Sequence, residues 1–255
     1  MPPAAPLPQA TAGTTPKAAM VLAAGLGLRM RPLTLERPKP LIPILGKPML
    51  DHALDRLAEA GVESAVVNTH YKGEMIAAHL KSRARPAITL SPEERLLETG
   101  GGVRKALPLL GTDPVFVVNA DILWLDGPSP ALRRLAHHWD PETMDALLLV
   151  MATTKAVGYE GRGDYHMDPL GRLARRAETE IAPFVFAGVQ IVKPALFRDL
   201  PDGPVSTNRL WDRAQEAGRL HGLAHDGLWF HLGTPEALRE SEALLARSDM
   251  SVVTT

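Results

Sequence analysis

The apolar run AAMVLAAG, residues 18–25, stops at a glycine, and a second glycine and two arginines follow at once as Gly27, Arg29 and Arg31. A run this short and this apolar, closed by a turn residue, reads as a buried strand feeding a turn. The pattern then alternates. Pro48 suits the first turn of a helix, Leu50, Ala53, Leu54, Leu57 and Ala58 follow helical spacing, and Gly61 stands where that helix would stop. SAVVNTH reads as the next strand, followed by a helix near Gly73 to Leu80, a strand near Ala87 to Leu90, a helix from Gly102 to Leu109 and a strand in PVFVVNAD. DALLLVMATT and FVFAGVQIV add strands, while the glycine- and charge-rich stretch from Gly158 to Glu180 is expected to hold hairpins or substrate loops. Strands alternating with helices imply an α/β fold around a mostly parallel sheet.

Composition narrows the guests such a fold could hold. With 255 residues, 45% hydrophobic and 22% charged, the chain can bury a full core. A formal net charge of −1 gives no electrostatic footprint for nucleic acid, and no apolar run approaches the roughly 20 residues of a membrane-spanning helix. Neither nucleic acid nor a membrane is therefore an expected partner. The absence of cysteine excludes disulfides, thiolate metal sites and a cysteine nucleophile, and fits a cytoplasmic setting. Residues 1–16, rich in Pro, Ala and Thr, lack the cationic start and apolar core of a signal peptide and read as a disordered tail. Residues 17–247 read as one domain and 248–255 as a flexible C-terminal tail.

In an open sheet of this kind, ligands gather outside the carboxyl ends of the strands. Three pieces should meet there: the loop after Ala24, the loop around Gly100 to Gly102, and Asp121. Gly25 and Gly27 let backbone N–H groups approach an anion, and Arg29, Arg31 and Lys39 can neutralise it. In RPKP, Lys39 stands between two prolines, so the backbone is stiff where a long cationic side chain must be aimed. A phosphate group is the expected guest.

LAAGLGLRMRPLTLERPKPLIPILGKP resembles the signature of the sugar-1-phosphate nucleotidyltransferases, complete except that Leu28 stands where the family has threonine. LLETGGGVRKALPLLG, FVVNAD and WFHLGTPEAL extend the likeness from about Met20 to Leu245, and ETGGG with the overall size most resembles the N-acetylmuramate 1-phosphate uridylyltransferases and the mannose-1-phosphate guanylyltransferase-like proteins. The resemblance implies a Rossmann-like, three-layer α/β/α, glycosyltransferase-A-like nucleotidyltransferase fold. It implies Arg29 and Lys39 at the reacting phosphates. Leu22, Ala23, Ala24, Gly25, Gly27, Glu98, Gly100, Gly101, Gly102 and Asn119 would bind the nucleotide, the glycines giving backbone access to the base. Asp121, in the position of the family's N-G-D aspartate, would hold Mg2+, a hard cation that binds one or two carboxylates plus substrate phosphates.

The departures are as informative as the matches. His231 stands where the family's second metal carboxylate would be, and imidazole prefers Mn2+ or Co2+ over Mg2+. Either His231 ligates a metal, or water and substrate complete the shell, or activity is lost; Asp226 could reach in from upstream. The usual E-K-P lysine has no clear match, and Arg175, Arg176, Glu178 and Glu180 stand nearby instead. GRGDYHMD resembles a stretch of the muramate-type enzymes, which makes Arg162 and Asp164 candidate substrate contacts; Glu178, from the charged stretch just named, is a third, while Lys47 could serve packing or substrate.

The implied reaction joins a sugar 1-phosphate to an NTP, UTP favoured, with release of pyrophosphate, in cell-wall recycling. Mannose-1-phosphate guanylyltransferase, another NDP-sugar pyrophosphorylase, transfer to a non-sugar phosphate, and a catalytically silent nucleotide-sugar-binding relative remain open alternatives. Oligomeric state is not legible.

Overall fold

The computed structural model describes residues 15–111 and 113–247. The expected tails, 1–16 and 248–255, lie outside these but for residues 15 and 16. Within β1 (Ala18–Leu22), Ala19 and Val21 pack into one buried layer and Met20 into another. An α1 helix (Met49–Glu59) leads to β2 (Ser64–Thr69), α2 (Gly73–Leu80) to β3 (Ala87–Pro92), and α3 (Glu98–Leu110) to β4 (Val115–Asn119). These strands repeat the two-faced pattern: Ala65, Val67, Phe116 and Val118 join the first layer, Val66, Val115 and Val117 the second. Side chains alternate with period two along a strand, so a strand apolar at every position must be covered on both sides.

Helices supply the covers. Leu50, Leu54 and Leu57 of α1 and Ile76 and Leu80 of α2 complete the first layer; Val103, Ala106 and Leu110 of α3 complete the second. Each fully buried leucine of α1 contributes about 1.5–3 kcal/mol, and an aspartate at Leu54 would place a charge where that residue is 0% exposed. The chain continues through β5 (Leu123–Leu125), α4 (Ala131–His138), β6 (Ala146–Ala152), the hairpin β7 (Tyr165–Met167) and β8 (Leu173–Arg175), and β9 (Phe184–Val192). It ends in α5 (Asn208–Glu216), β10 (Leu220–Ala224), β11 (Leu228–Phe230) and α6 (Pro235–Arg247). The layers are those of a three-layer α/β/α arrangement.

Among the described residues nine strands form one sheet, with β8-β7-β9-β4-β1-β2-β3 in order, β6 added beside β9, and β10 beside β6. Its core, β3, β2, β1 and β4, is parallel as expected. The sequence pattern did not show that β9 runs antiparallel to both β4 and β6, with a register shift between Phe186 and Gln190 where Gly188 has φ 80°. A second correction concerns α3, which starts at Glu98, so Gly100 to Gly102 lie inside its first turns and not in a loop. A separate small sheet pairs β11 with β5 and with Ala156–Val157, and this delivers His231 to the cleft described below.

Candidate active site

A cleft of ≈ 680 Å3 opens beyond the carboxyl ends of β1 and β4, lined at one end by Arg29, Lys39, Asp121 and His231. Local chain chemistry makes the turn at this end. Gly27 has φ 61°, and a Cβ there would stand 2.8 Å from Thr34 Cγ2 and 3.1 Å from Lys39 Cβ, so only glycine fits. The Thr34 hydroxyl donates to Gly27 O at 3.0 Å and closes the turn. A Cβ on Gly25 would meet nothing within 4 Å, so packing inside the chain does not demand glycine there.

Lys39 opens a single helical turn, Lys39–Leu41, directly after extended Pro38. The residue is 9% exposed, and its Nζ lies 2.8 Å from Asp121 Oδ2 across 82 residues of sequence. Asp121 follows the end of β4, where Ala120 N–H donates to Leu22 O at 3.1 Å and locks the two strand ends together. A lysine this buried needs an anionic partner; here the partner is a carboxylate already facing the cleft. Arg29 stays exposed at the mouth.

His231 leaves β11 with its N–H donating to Val157 O at 2.8 Å. Its ring lies edge-on to Tyr159, 5.8 Å between centroids, and tilted against Trp229 at 5.9 Å. Burial first, then the Lys39 and Arg29 charges, push the imidazole below its ordinary pKa, and Asp121 pulls the other way. The ring is therefore neutral at physiological pH, with one nitrogen carrying a lone pair. Gly233 makes room for it: a Cβ there would stand 2.7 Å from His231 Nε2.

The glycine-rich start of α3 differs from the sequence expectation. The N–H groups of Gly100 and Gly101 both donate to Val205 O, at 2.8 and 3.0 Å, so they are not free to meet a base. A Cβ on Gly100 would stand 2.9 Å from Val205 O, one on Gly101 would collide with Gly203 O, and one on Gly102 would stand 2.8 Å from Asn68 Nδ2. Close packing of the helix against the Gly203–Thr207 segment and against Asn68 demands these glycines. Leu22, Ala24, Gly25, Glu98 and Asn119 do come together, in a cavity of ≈ 390 Å3 beside the main cleft. Ala23 and Gly27 line a third cavity, with Arg29 and Lys39.

At the far end of the main cleft stand Asp164, Arg175, Arg176 and Glu178. Asp164 Oδ2 accepts the Phe186 N–H at 2.8 Å, while Arg162 is exposed, not among the lining residues, and gives only its carbonyl, to Ala182 N–H. The two arginines divide their work. Arg176 donates to the carbonyls of Gly163, Ala177, Glu178 and Glu180 and thereby pins its own loop. Arg175 is held by Asp212 at 3.1 Å and by Asn208 O at 3.3 Å, beside Tyr165. Lys47 pairs with Asp55 and Asp226 with Arg134, both away from the cleft-lining set. Arg31 is exposed and also outside that set.

The family description "Nucleotidyl transferase" matches residues 18–159. Over 238 residues the chain is 48% identical to the N-acetylmuramate alpha-1-phosphate uridylyltransferase of Caulobacter vibrioides, covering 91% of this chain and 98% of that protein. The chain belongs to the nucleotidyl transferase family. A second relative, the N-acetylmuramate alpha-1-phosphate uridylyltransferase of Neisseria meningitidis serogroup B, is 35% identical over 89% of this chain and 97% of its own length. The solved structure of UDP-glucose pyrophosphorylase complexed with UDP-glucose shares the fold, with a TM-score of 0.75 at 18% identity over 91% of this chain and 98% of that one. As a nucleotidyl transferase the chain is an enzyme.

Reading the sequence of this nucleotidyl transferase missed several residues that line the cleft: Tyr159, Trp229, Trp211 and the Ser206–Asn208 run. Trp211 Nε1 donates to Gln190 Oε1 at 2.8 Å, both buried. The polar run before an amphipathic helix gave a usable signal, but it reads equally well as a plain helix start. For a metal, the donor chemistry fits one held jointly with substrate. Among the described residues no three His, Cys, Asp or Glu groups cluster as a closed site. Of the described residues lining the Lys39 end of the cleft, Asp121 and His231 are the metal-ligating types, a donor set that leaves room for substrate phosphates around a cation.

Proposed function

We propose that this nucleotidyl transferase moves a uridylyl group from UTP to N-acetylmuramate α-1-phosphate in the cytoplasm, in recycling of cell-wall sugar. The observation that carries the substrate choice is the 48% identity, spanning 98% of the relative that bears this activity in its name. An oxygen of the sugar phosphate attacks the α-phosphorus of the nucleotide, the bond to the β-phosphate oxygen breaks, and pyrophosphate leaves. The attacking phosphate has a second pKa of about 6 and is already largely dianionic at neutral pH, so no general base is needed. Catalysis reduces to alignment and charge neutralisation.

Arg29 and Lys39 supply fixed positive charge at the reacting end. Leu22, Ala23, Ala24, Gly25, Gly27, Glu98 and Asn119 would receive the nucleotide. Gly100, Gly101 and Gly102 would shape its wall by close packing. Asp164, Arg175 and Glu178 would face the sugar. Asp121 and His231 would hold a divalent cation, Mg2+ with Mn2+ or Co2+ as alternatives, which would supply charge neutralisation to the reacting phosphates. Lys39 holds Asp121 in place at the cleft.

The experiment is pyrophosphate release from UTP, GTP, CTP and dTTP against a panel of sugar 1-phosphates. UTP with N-acetylmuramate α-1-phosphate is expected to give the highest kcat/KM. A preference for GTP with mannose 1-phosphate would overturn the assignment.

A further inference from the structure

Between the nucleotide turn and α3 lies a chain of buried polar groups, at the wall of the ≈ 390 Å3 cavity, that the phosphate chemistry does not use. Asn68, near the end of β2, accepts the Ala23 N–H at Oδ1, 2.7 Å, and donates from Nδ2 to Glu93 Oε1, also 2.7 Å. Glu93 Oε2 in turn accepts the Leu97 N–H at 3.0 Å, at the entry to α3. Asn68 is 3% exposed and Glu93 5%. Gly102 lets the helix press onto this pair, since a Cβ there would stand 2.9 Å from Glu93 Oε1. From the same first turn the link continues: Gly100 and Gly101 donate to Val205 O, and Thr99 Oγ1 accepts the Thr207 N–H at 2.9 Å.

Burying a carboxylate is costly, and replacing such a pair by apolar groups of the same shape often leaves a fold as stable or more so. Stability is therefore a poor reason for this pair. Its contacts supply a better one. One end fixes the first amide of the turn that carries Gly25, Gly27 and Arg29; the other fixes the start of the helix that walls the nucleotide cavity and grips residues 203–207. We infer that Asn68 and Glu93 are positioning residues, which set the nucleotide turn at its working distance from α3 without touching the reacting atoms. This rests on reading the Leu22–Met30 turn as the nucleoside triphosphate site.

Donor and acceptor bookkeeping gives the test. In Glu93→Gln the amide has one acceptor oxygen, so its NH2 group must oppose either Asn68 Nδ2–H or Leu97 N–H. In Asn68→Asp two carboxylates face each other with no proton between them. The double variant Asn68→Asp/Glu93→Gln restores every contact: the new carboxylate at 68 accepts from Ala23 and from the new amide at 93, whose oxygen accepts from Leu97.

Each single variant is expected to raise KM for the nucleoside triphosphate on the order of tenfold, as loss of one buried hydrogen bond predicts, with a smaller fall in kcat. Amide hydrogen exchange across residues 22–28 should quicken in both. The double variant should return KM and exchange to near wild type, and the ranking of the four nucleoside triphosphates should stay fixed throughout. A core truncation matched in melting temperature, Ile76→Val, should move neither KM nor that exchange.

A double variant worse than either single, a control that reproduces the KM rise, or a changed nucleotide ranking in Glu93→Gln would overturn the inference; the last would mean direct contact with the base. If a single variant does not fold, the double decides alone. If the wild type turned over no nucleotide with any sugar phosphate, the reading of the cleft would fail, and the exchange pattern would still decide the positioning role.

Discussion

At the phosphate end of the cleft, Gly25, Gly27, Arg29 and Lys39 come from one unbroken stretch before Leu41, and Asp121 and His231 arrive from afar. At the acceptor end, Asp164 just before β7, Arg175 of β8, Phe186 of β9, and Asn208 and Trp211 of α5 are gathered from four places in the chain. The first end is stiffened by its own chain, through Pro38, Pro40 and the Gly27 turn closed by Thr34. The second is held by side chains that reach backbone carbonyls elsewhere, as Arg176 does. Charge set by local stiffness can be read along the sequence; charge set by distant partners cannot.

The largest effect should follow from Lys39→Ala. Removing a fixed charge from the reacting phosphates costs transition-state stabilisation of about 3 kcal/mol, or roughly a hundredfold in kcat. Asp121 is partly exposed and tolerates the loss of its partner, so the melting temperature should change little by comparison. Steady-state kinetics beside thermal melting checks both halves. Near-wild-type kcat in folded protein would remove Lys39 from the chemistry.

Next comes Arg175→Ala against Arg176→Ala, which sharpens the comparison at the other end. Arg175 lines the cleft and uses only part of its guanidinium on Asp212 and Asn208. Its removal should raise KM for the sugar phosphate about tenfold, the loss of one charge-assisted hydrogen bond, and leave KM for the nucleotide unchanged. Arg176→Ala should instead lower the melting temperature and loosen residues 163–180, since it frees four carbonyls. The two KM values, measured separately, decide it.

His231 joins the two ends, and its effect should be a change in metal preference of a few fold. An imidazole improves affinity for Mn2+ and Co2+ more than for Mg2+, so His231→Asp should shift the preferred cation toward Mg2+ and His231→Ala should weaken Mn2+ use most. Metal titrations of turnover in the three proteins check this. An identical metal ranking in all three would show that His231 is no ligand.

The mildest test lies away from the cleft at the start of β6, where charge serves structure alone. There Asp145 meets Lys193 at 3.0 Å and Arg219 at 2.9 Å. Burial by itself would raise the Asp145 carboxyl, but hydrogen bonds from Lys193 and Arg219 outweigh it and hold the group below its ordinary value. A depressed carboxyl stabilises the fold above its unfolded pKa and loses that contribution as pH falls through the folded value. Asp145→Asn should therefore cost on the order of 1 kcal/mol at pH 7, and its gap from wild type should close below about pH 4. Denaturant melts at the two pH values check the sign, and turnover at pH 7 should not move.

Much of the fold was legible because strands buried on both faces and helices with one apolar stripe carry different periods. The parallel core and α1 follow from that pattern, while residues 158–180, expected from their glycine and charge content to hold hairpins or substrate loops, do hold the β7–β8 hairpin. The direction of β9 was not legible, since an apolar run such as FVFAGVQIV fits a parallel or an antiparallel neighbour equally well. Gly100 to Gly102 misled for a related reason: a glycine looks the same in sequence whether it admits a ligand or another segment of the same chain.

What the sequence by itself determined is the stiff cationic turn from Gly25 to Lys39 and the aspartate at the end of β4, because backbone restriction by glycine and proline acts within a few residues. Only the tertiary structure decided that Lys39 is buried against Asp121, that His231 is kept neutral by burial and by the charges of Lys39 and Arg29, and that Asn68 and Glu93 tie the turn to α3. Those outcomes depend on groups tens of residues apart meeting with matched donors and acceptors. No local propensity encodes such a meeting; it is fixed when the two core layers pack and bring the strand ends together.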